Sequence, residues 1–289
     1  MKKCLLIATI FLYAFYAVSC ASGGREPFTD RQPEVRVLET LETRLHDAVS
    51  ISEKLEMTAI GEVHYADYRA PIWVVSYHPG PDPDYHLLLC GGIHGNEPAG
   101  VEIMIHFIEM LADNEEKYHN YSIDIIPLIN PWGWSHDLRF NQQGIDVNRD
   151  FASFESQEAI LVSEFTTKKR YDLIIDCHED PDASGFYIYQ YANRNQQLSR
   201  NIIEVIRKLD YPIEQDVNMI ILKTDDGLID APLWGLYYMK MTGQLSMTNY
   251  FRLNHSDLVY TIETPTELPW ESRITMQQKA AEMLIESLQ

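Results

Sequence analysis

The sequence predicts an α/β fold, a mostly parallel mixed sheet with helices on both faces, and three features point to it. Apolar strand-like blocks alternate with amphipathic helix-like blocks from Tyr85 to the end of the chain. The strand blocks are continuously apolar, as in YHLLLCGGI (85–93) and DLIIDC (172–177), which is how strands read when both sheet faces are covered. Polar clusters follow these blocks, at the carboxyl ends where such sheets collect ligands.

Taken in order, Val35 to Leu55 reads as a helix, with Val37, Leu38, Leu41 and Leu45 on one face. Thr58 to His64 and Ile72 to Tyr77 read as strands about a short turn, and Pro79 to Asp84 is a breaker cluster. Tyr85 to Ile93 is a buried strand, Gly100 to Met110 a helix and Ser122 to Ile129 a strand. Ser156 to Thr167 is a helix, Asp172 to Cys177 a strand and Leu198 to Leu209 a helix. Leu258 to Glu263 is the last strand, and Arg273 to Leu288 a closing helix.

Residues 1–19 read as a signal peptide. Lys2 and Lys3 form a basic start, Cys4 to Tyr16 is almost unbroken apolar sequence, and small residues lead to Cys20. Ala17-Val18-Ser19-Cys20 resembles a bacterial lipobox, with Ala17 where leucine is usual; the other reading is plain cleavage after Ala21. Lipidation at Cys20 is the expectation. Residues 20–33, with Gly-Gly and two prolines, read as a tether, and residues 34–289 as a single catalytic domain. The chain is then expected to be exported and anchored as a lipoprotein facing the periplasm or the cell exterior, touching the membrane through its lipid alone. Losing residues 1–19 removes two lysines and no acid, so the net charge of −20 becomes −22. Nucleic acid is excluded as a partner, because binding it requires Lys and Arg to neutralise phosphates. Cys90 and Cys177 lie in apolar strands; they could pair, but buried free thiols are the favoured reading.

The chemistry lies in four clusters. Gly91 to Gly100 holds His94 and Glu97, three apart, so that one helical turn would set both on one side. Asn130-Pro131-Trp132-Gly133 is followed by Arg139 and by Gly144-Ile145-Asp146-Val147-Asn148-Arg149. His178 lies within Asp176-Cys177-His178-Glu179-Asp180, and Glu263 within Ile262-Glu263-Thr264-Pro265. Two histidines and one glutamate suit zinc with one position open to water. A free carboxylate can take that water's proton, and an arginine can stabilise an oxyanion.

These motifs together resemble the zinc carboxypeptidases of the carboxypeptidase A type, especially short bacterial members such as murein peptide amidases, over roughly Thr58 to Leu288. The resemblance implies one zinc per chain held by His94, Glu97 and His178. It also implies Glu263 as general base and then acid, Arg139 as oxyanion stabiliser, and Asn148 and Arg149 as the clamp for a substrate carboxylate. Asp146 would orient His94 from behind. The implied substrate is a peptide or a peptidoglycan-derived peptide, cut at a peptide or amide bond near a free carboxylate. The family also supplies a tyrosine ahead of the catalytic glutamate; Tyr237, Tyr238, Tyr250 and Tyr260 all qualify by position, Tyr260 least. A specificity pocket is expected in a loop over Gly235 to Asn254. The acidic run after His178 reads either as a site for a basic substrate or as a solvated turn.

Two rivals stand. Deacylases such as aspartoacylase and succinylglutamate desuccinylase share most of these motifs but normally add a β-rich domain after the catalytic glutamate. Here 26 residues follow Glu263. A non-catalytic binding lipoprotein would keep the fold and normally lose a ligand or the base, and neither is lost.

Overall fold

A computed structural model of the protein describes residues 35–192, 196–215 and 224–289; the predicted signal peptide, Cys20 and the tether lie outside the described residues. The chain runs α1 (Leu38–Val49), β1 (Leu55–His64), β2 (Arg69–Tyr77), β3 (Tyr85–Gly91), α2 (Pro98–Asp113) and β4 (Tyr121–Ile126). It continues through α3 (Pro131–His136), a 3₁₀ turn (Val147–Arg149), α4 (Gln157–Thr166), β5 (Leu173–Asp180), β6 (Tyr187–Tyr191) and α5 (Gln197–Lys208). Last come β7 (Leu228–Ala231), α6 (Leu233–Met241), α7 (Met247–Asn254), β8 (Val259–Pro265) and α8 (Trp270–Glu286).

The strands form one sheet in the order β1-β2-β4-β3-β5-β8-β6-β7. Its centre, β4-β3-β5-β8, is parallel, and β6 and β7 also pair in parallel. Antiparallel pairing joins β1 to β2, β2 to β4 and β6 to β8. β3 lies between β4 and β5, so the chain leaves it in one direction and later returns on its other side. In open α/β sheets such a switch point, at the carboxyl ends of β3 and β5 here, is where ligands bind.

Period-two alternation sorts the strand residues. Leu87, Leu89, Leu173, Ile175, Cys177, Tyr260 and Ile262 face a core shared with α1, α2, α5 and α8. Leu88, Cys90, Ile174 and Val259 face a second core shared with α4, α6 and α7. By the same alternation, Asp176, His178, Thr261 and Glu263 point to the α4–α7 side, whereas Glu179 points back towards α2 and α8. Cys90 and Cys177 are buried free thiols.

Local signals start the helices. Asn130 Oδ1 accepts from Gly133 N and Pro131 opens α3; Ser156 and Ser246 cap α4 and α7 in the same way. The structure shortens the first predicted helix, because Leu55 enters the sheet opposite Tyr77. It also replaces the expected loop over residues 235–254 by α6 and α7, with Gly243 in the left-handed region between them. β6 and β7, five and four residues long, are additions that no long apolar run announces. Among the described residues, no helix is long and apolar enough to cross a membrane.

Candidate metal centre

His94, Glu97 and His178 are buried, and one ligand atom from each falls within 4.8 Å of the others. The first two sit on the turn leaving β3. That turn is not yet helix: Glu97 N donates to His94 O, Glu97 is the cap residue, and α2 begins at Pro98. Gly100 lets the helix start sit close against β5, since a Cβ there would lie 2.4 Å from Cys177 O.

Each imidazole turns the same nitrogen inward. His94 Nδ1 is 2.6 Å from Glu97 Oε1, and His178 Nδ1 is 2.7 Å from Glu97 Oε2. The outer nitrogens meet carboxylates: His94 Nε2 lies 3.2 Å from Asp146 Oδ1, and His178 Nε2 lies 2.9 Å from Asp176 Oδ2. A carboxylate behind an imidazole fixes its tautomer and raises its basicity. The donor set, two aligned Nδ1 atoms and a carboxylate, fits a metal ion that keeps an open position.

The charges agree with this geometry. Burial alone would raise the Glu97 carboxyl, but the two imidazoles hold it well below the usual range. Burial would likewise raise Asp146, but His94 first, then Arg149 and Arg139, hold it down. Burial would lower His178, but Asp176 and Glu97 push it well up.

Glu263 is placed by register, directly beside His178 in the β5–β8 pairing and so on the same side of the sheet. Its Oε2 is enclosed and finds no hydrogen-bond partner among the described residues. Burial, with help from Glu97, Asp180 and Asp176 against the pull of His178, raises its carboxyl well above the usual range. Tyr187 of β6 stands opposite Glu263 on its other flank.

Arg139 reaches the same point. It donates from Nε and Nη2 to Asp146 Oδ2, at 3.1 and 3.0 Å, and its Nη1 lies 3.3 Å from His94 Nδ1. Asn148 is buried between the site and α7: its Oδ1 accepts from Met247 N, and its Nδ2 lies 3.4 Å from His178 Nε2. Arg149 is half-buried and donates to Asn148 O. The structure thus gathers His94, Glu97, Arg139, Asp146, Asn148, Arg149, His178 and Glu263 at one end of the sheet, while Cys20 lies outside the described residues.

Two features were not foreseen. Asp176 supports His178 from two residues earlier on the same strand, a spacing visible in Asp-Cys-His once the strand is known to continue past Cys177. Glu179 is neither a substrate contact nor part of a solvated turn. It is buried, accepts from Ala99 N at the start of α2, and pairs with Arg273 of α8 at 2.5 Å. Asp180 accepts from Tyr187 Oη and Asp182 N. Of the tyrosines considered, Tyr250 packs against Phe151, Phe154 and Phe251, Tyr260 lies in the core, and Tyr237 is exposed on α6.

Comparison with known proteins follows the same lines. Residues 83–220 match the family model of the succinylglutamate desuccinylase/aspartoacylase catalytic domain. Carboxypeptidase E of Caenorhabditis elegans is 28% identical over 182 residues, 54% of this chain and 38% of that protein. The chain spans less than two fifths of the length of the curated relatives it matches. A candidate metallopeptidase from Shewanella denitrificans superposes with a TM-score of 0.73 at 21% identity, over 91% of this chain and 98% of that one. Carboxypeptidase A from Helicoverpa armigera superposes with a TM-score of 0.66 at 13% identity, over 88% and 73%. At these identities the solved structures show a shared fold.

Proposed function

We propose, from the premise that the chain belongs to the zinc carboxypeptidase-like superfamily, that it is a zinc hydrolase cutting a peptide or amide bond beside a free carboxylate, with cell-wall peptides as candidate substrates. The observation that carries this is the convergence of His94, Glu97 and His178, with Glu263 in register beside His178. Zinc suits two imidazoles and one carboxylate, and when bound it supplies Lewis-acid polarisation and an activated water.

The chain's own residues do the rest. Glu263 takes the proton of the attacking water at its carboxylate and hands it to the departing nitrogen. Arg139, held by Asp146 beside the ligand cluster, brings its positive charge to the developing oxyanion. Arg149 presents a planar fork to the substrate carboxylate, with Asn148 beside it. The expected export would bring this site to cell-wall peptides.

The test compares one peptide with its terminal carboxylate free and amidated. Wild type should strongly prefer the free acid, and Arg149→Ala should lose that preference mainly through a higher KM. Equal cleavage of both by wild type removes the clamp and leaves an endo-acting amidase.

A second reading rests on the family model matched by residues 83–220, which describes deacylases. That stretch ends before Glu263, and the metal ligands and Arg139 serve both chemistries. Faster hydrolysis of N-acyl amino acids than of any peptide would decide for the deacylase.

A further inference from the structure

We infer that Arg36 is a positioning residue for the metal site: it clamps the turn that carries His94 and Glu97 against α3, the helix that leads into Arg139. The inference rests on the metal site proposed above. Arg36 lies 58 residues before His94 in the chain, immediately ahead of α1, and belongs to none of the motifs that mark the site.

Its contacts are specific. Nη1 donates to Gly95 O at 3.1 Å and to Trp134 O at 2.9 Å, and Nη2 donates to Asp137 Oδ1 at 2.7 Å. Its own N donates to Ser135 O at 3.2 Å, and the guanidinium lies 5.7 Å from the Trp134 ring centroid. The side chain is 8% exposed, so these bonds form away from most competing water.

Gly95 stands between the two ligands of the turn. It touches α3 so closely that a Cβ would fall 1.9 Å from Gly133 C and 2.2 Å from Trp134 N. Two backbones therefore meet with no side chain between them, and apolar packing cannot hold them in register. Arg36 bridges a carbonyl from each. Asp137, at the carboxyl end of α3, holds the guanidinium in place from an αL backbone. Leu138 N then bonds back to Gly133 O, and Arg139 follows. One guanidinium thus sets the spacing between the ligand turn and the segment that delivers the oxyanion arginine.

A lysine keeps the charge but lacks the rigid fork needed to satisfy three acceptors at once. Zinc retention should therefore fall about tenfold in Arg36→Ala, the low end of what outer supports of metal ligands contribute, and less in Arg36→Lys. Retention is read by competition with a chromophoric chelator. In metal-free full-length protein, the amide of Gly95 should exchange faster in Arg36→Ala, while amides of α8 keep their wild-type rates. Zinc retention and Gly95 exchange both at wild-type values in folded Arg36→Ala would overturn the inference. So would loss of the whole fold in both variants, which would make Arg36 a general stabiliser. Wild type that takes up no zinc defeats the proposed function instead, and the exchange measurement still tests the clamp.

Discussion

His94 and His178 aim the same ring nitrogen at the same point, but they are held by opposite kinds of structure. His178 sits in the central strand β5, and its supporting carboxylate, Asp176, is two residues away on the same strand and fully buried. His94 sits on a glycine-flanked turn, and its supporting carboxylate, Asp146, comes from a distant loop and is 19% exposed. Asp146 also binds Arg139, so the His94 half shares its support with the group assigned to the oxyanion. The His178 half is fixed mainly by the sheet, with Gln277 of α8 donating to His178 O. The His94 half depends on side chains that fasten loops: Arg36 on one flank, Asn141 and Glu158 on the other.

The largest effects should come from removing each imidazole. His94→Ala and His178→Ala should both drop bound zinc from one per chain to near none after dialysis, because a buried site with two ligands holds zinc poorly. The halves should separate in the metal-free proteins. His178→Ala leaves Asp176 buried without its ionic partner, an error on the order of 3 kcal/mol of stability. Each variant also loses one of the two buried pairs to Glu97, but His94→Ala leaves Asp146 still paired with Arg139, so its loss should be the smaller, by roughly 2 kcal/mol. Equal urea midpoints for the two metal-free variants would erase the distinction.

The supporting carboxylates come next. Asp176→Ala and Asp146→Ala should each weaken zinc binding by about 10- to 100-fold. Only Asp146→Ala should also lower kcat at saturating zinc, because Arg139 loses its anchor. A kcat loss of the same size in zinc-saturated Asp176→Ala would show that the effect runs through the metal ligands rather than through the anchoring of Arg139.

The same division governs what the sequence disclosed. β3, β5 and β8 are apolar runs legible in the sequence, but that His178 and Glu263 stand side by side depends on β5 and β8 being neighbours in that register, which only the fold shows. The ligand set followed from spacing and resemblance. Asp176 has no evident role in the sequence, because the predicted strand stops at Cys177 and leaves His178 outside it, whereas β5 runs on to Asp180. Glu179 was misplaced for the same reason: alternation sends it to the opposite face, where Arg273 arrives from the last helix. β6 and β7 went unseen because four or five residues carry little periodic signal beside the caps and turns around them. Arg36 could not be found at all, since its partners are mainly backbone carbonyls, and which carbonyls meet is a property of the fold.

The smallest effect tests the fastening of the loop-borne half. Asn141 Oδ1 accepts from Gln143 N and Ile145 N, which shapes the loop that ends in Asp146. Asn141 Nδ2 donates to Glu158 Oε2, and the Tyr65 hydroxyl donates to Glu158 Oε1. Glu158 is fully buried, and burial first, with a contribution from Asp150, raises its carboxyl above the usual range against the hydrogen bonds from Tyr65 and Asn141. A carboxyl whose proton affinity is higher folded than unfolded binds more protons in the native state, so stability falls as pH rises from the unfolded value through the folded one. Glu158→Gln removes that titration while keeping an acceptor for one neighbour. Between about pH 4, the ordinary carboxyl range, and neutrality, the metal-free variant should therefore lose less stability than metal-free wild type. Above the folded value it should be the more stable of the two, by roughly 1 kcal/mol or less if the lost hydrogen bond offsets part of the gain. Zinc affinity should change by no more than a few-fold, because Asn141 keeps its two backbone bonds. Parallel stability curves for variant and wild type across that range would mean that Glu158 is ionised at no net cost, and that the loop carrying Asp146 is as firmly built as the strand carrying Asp176.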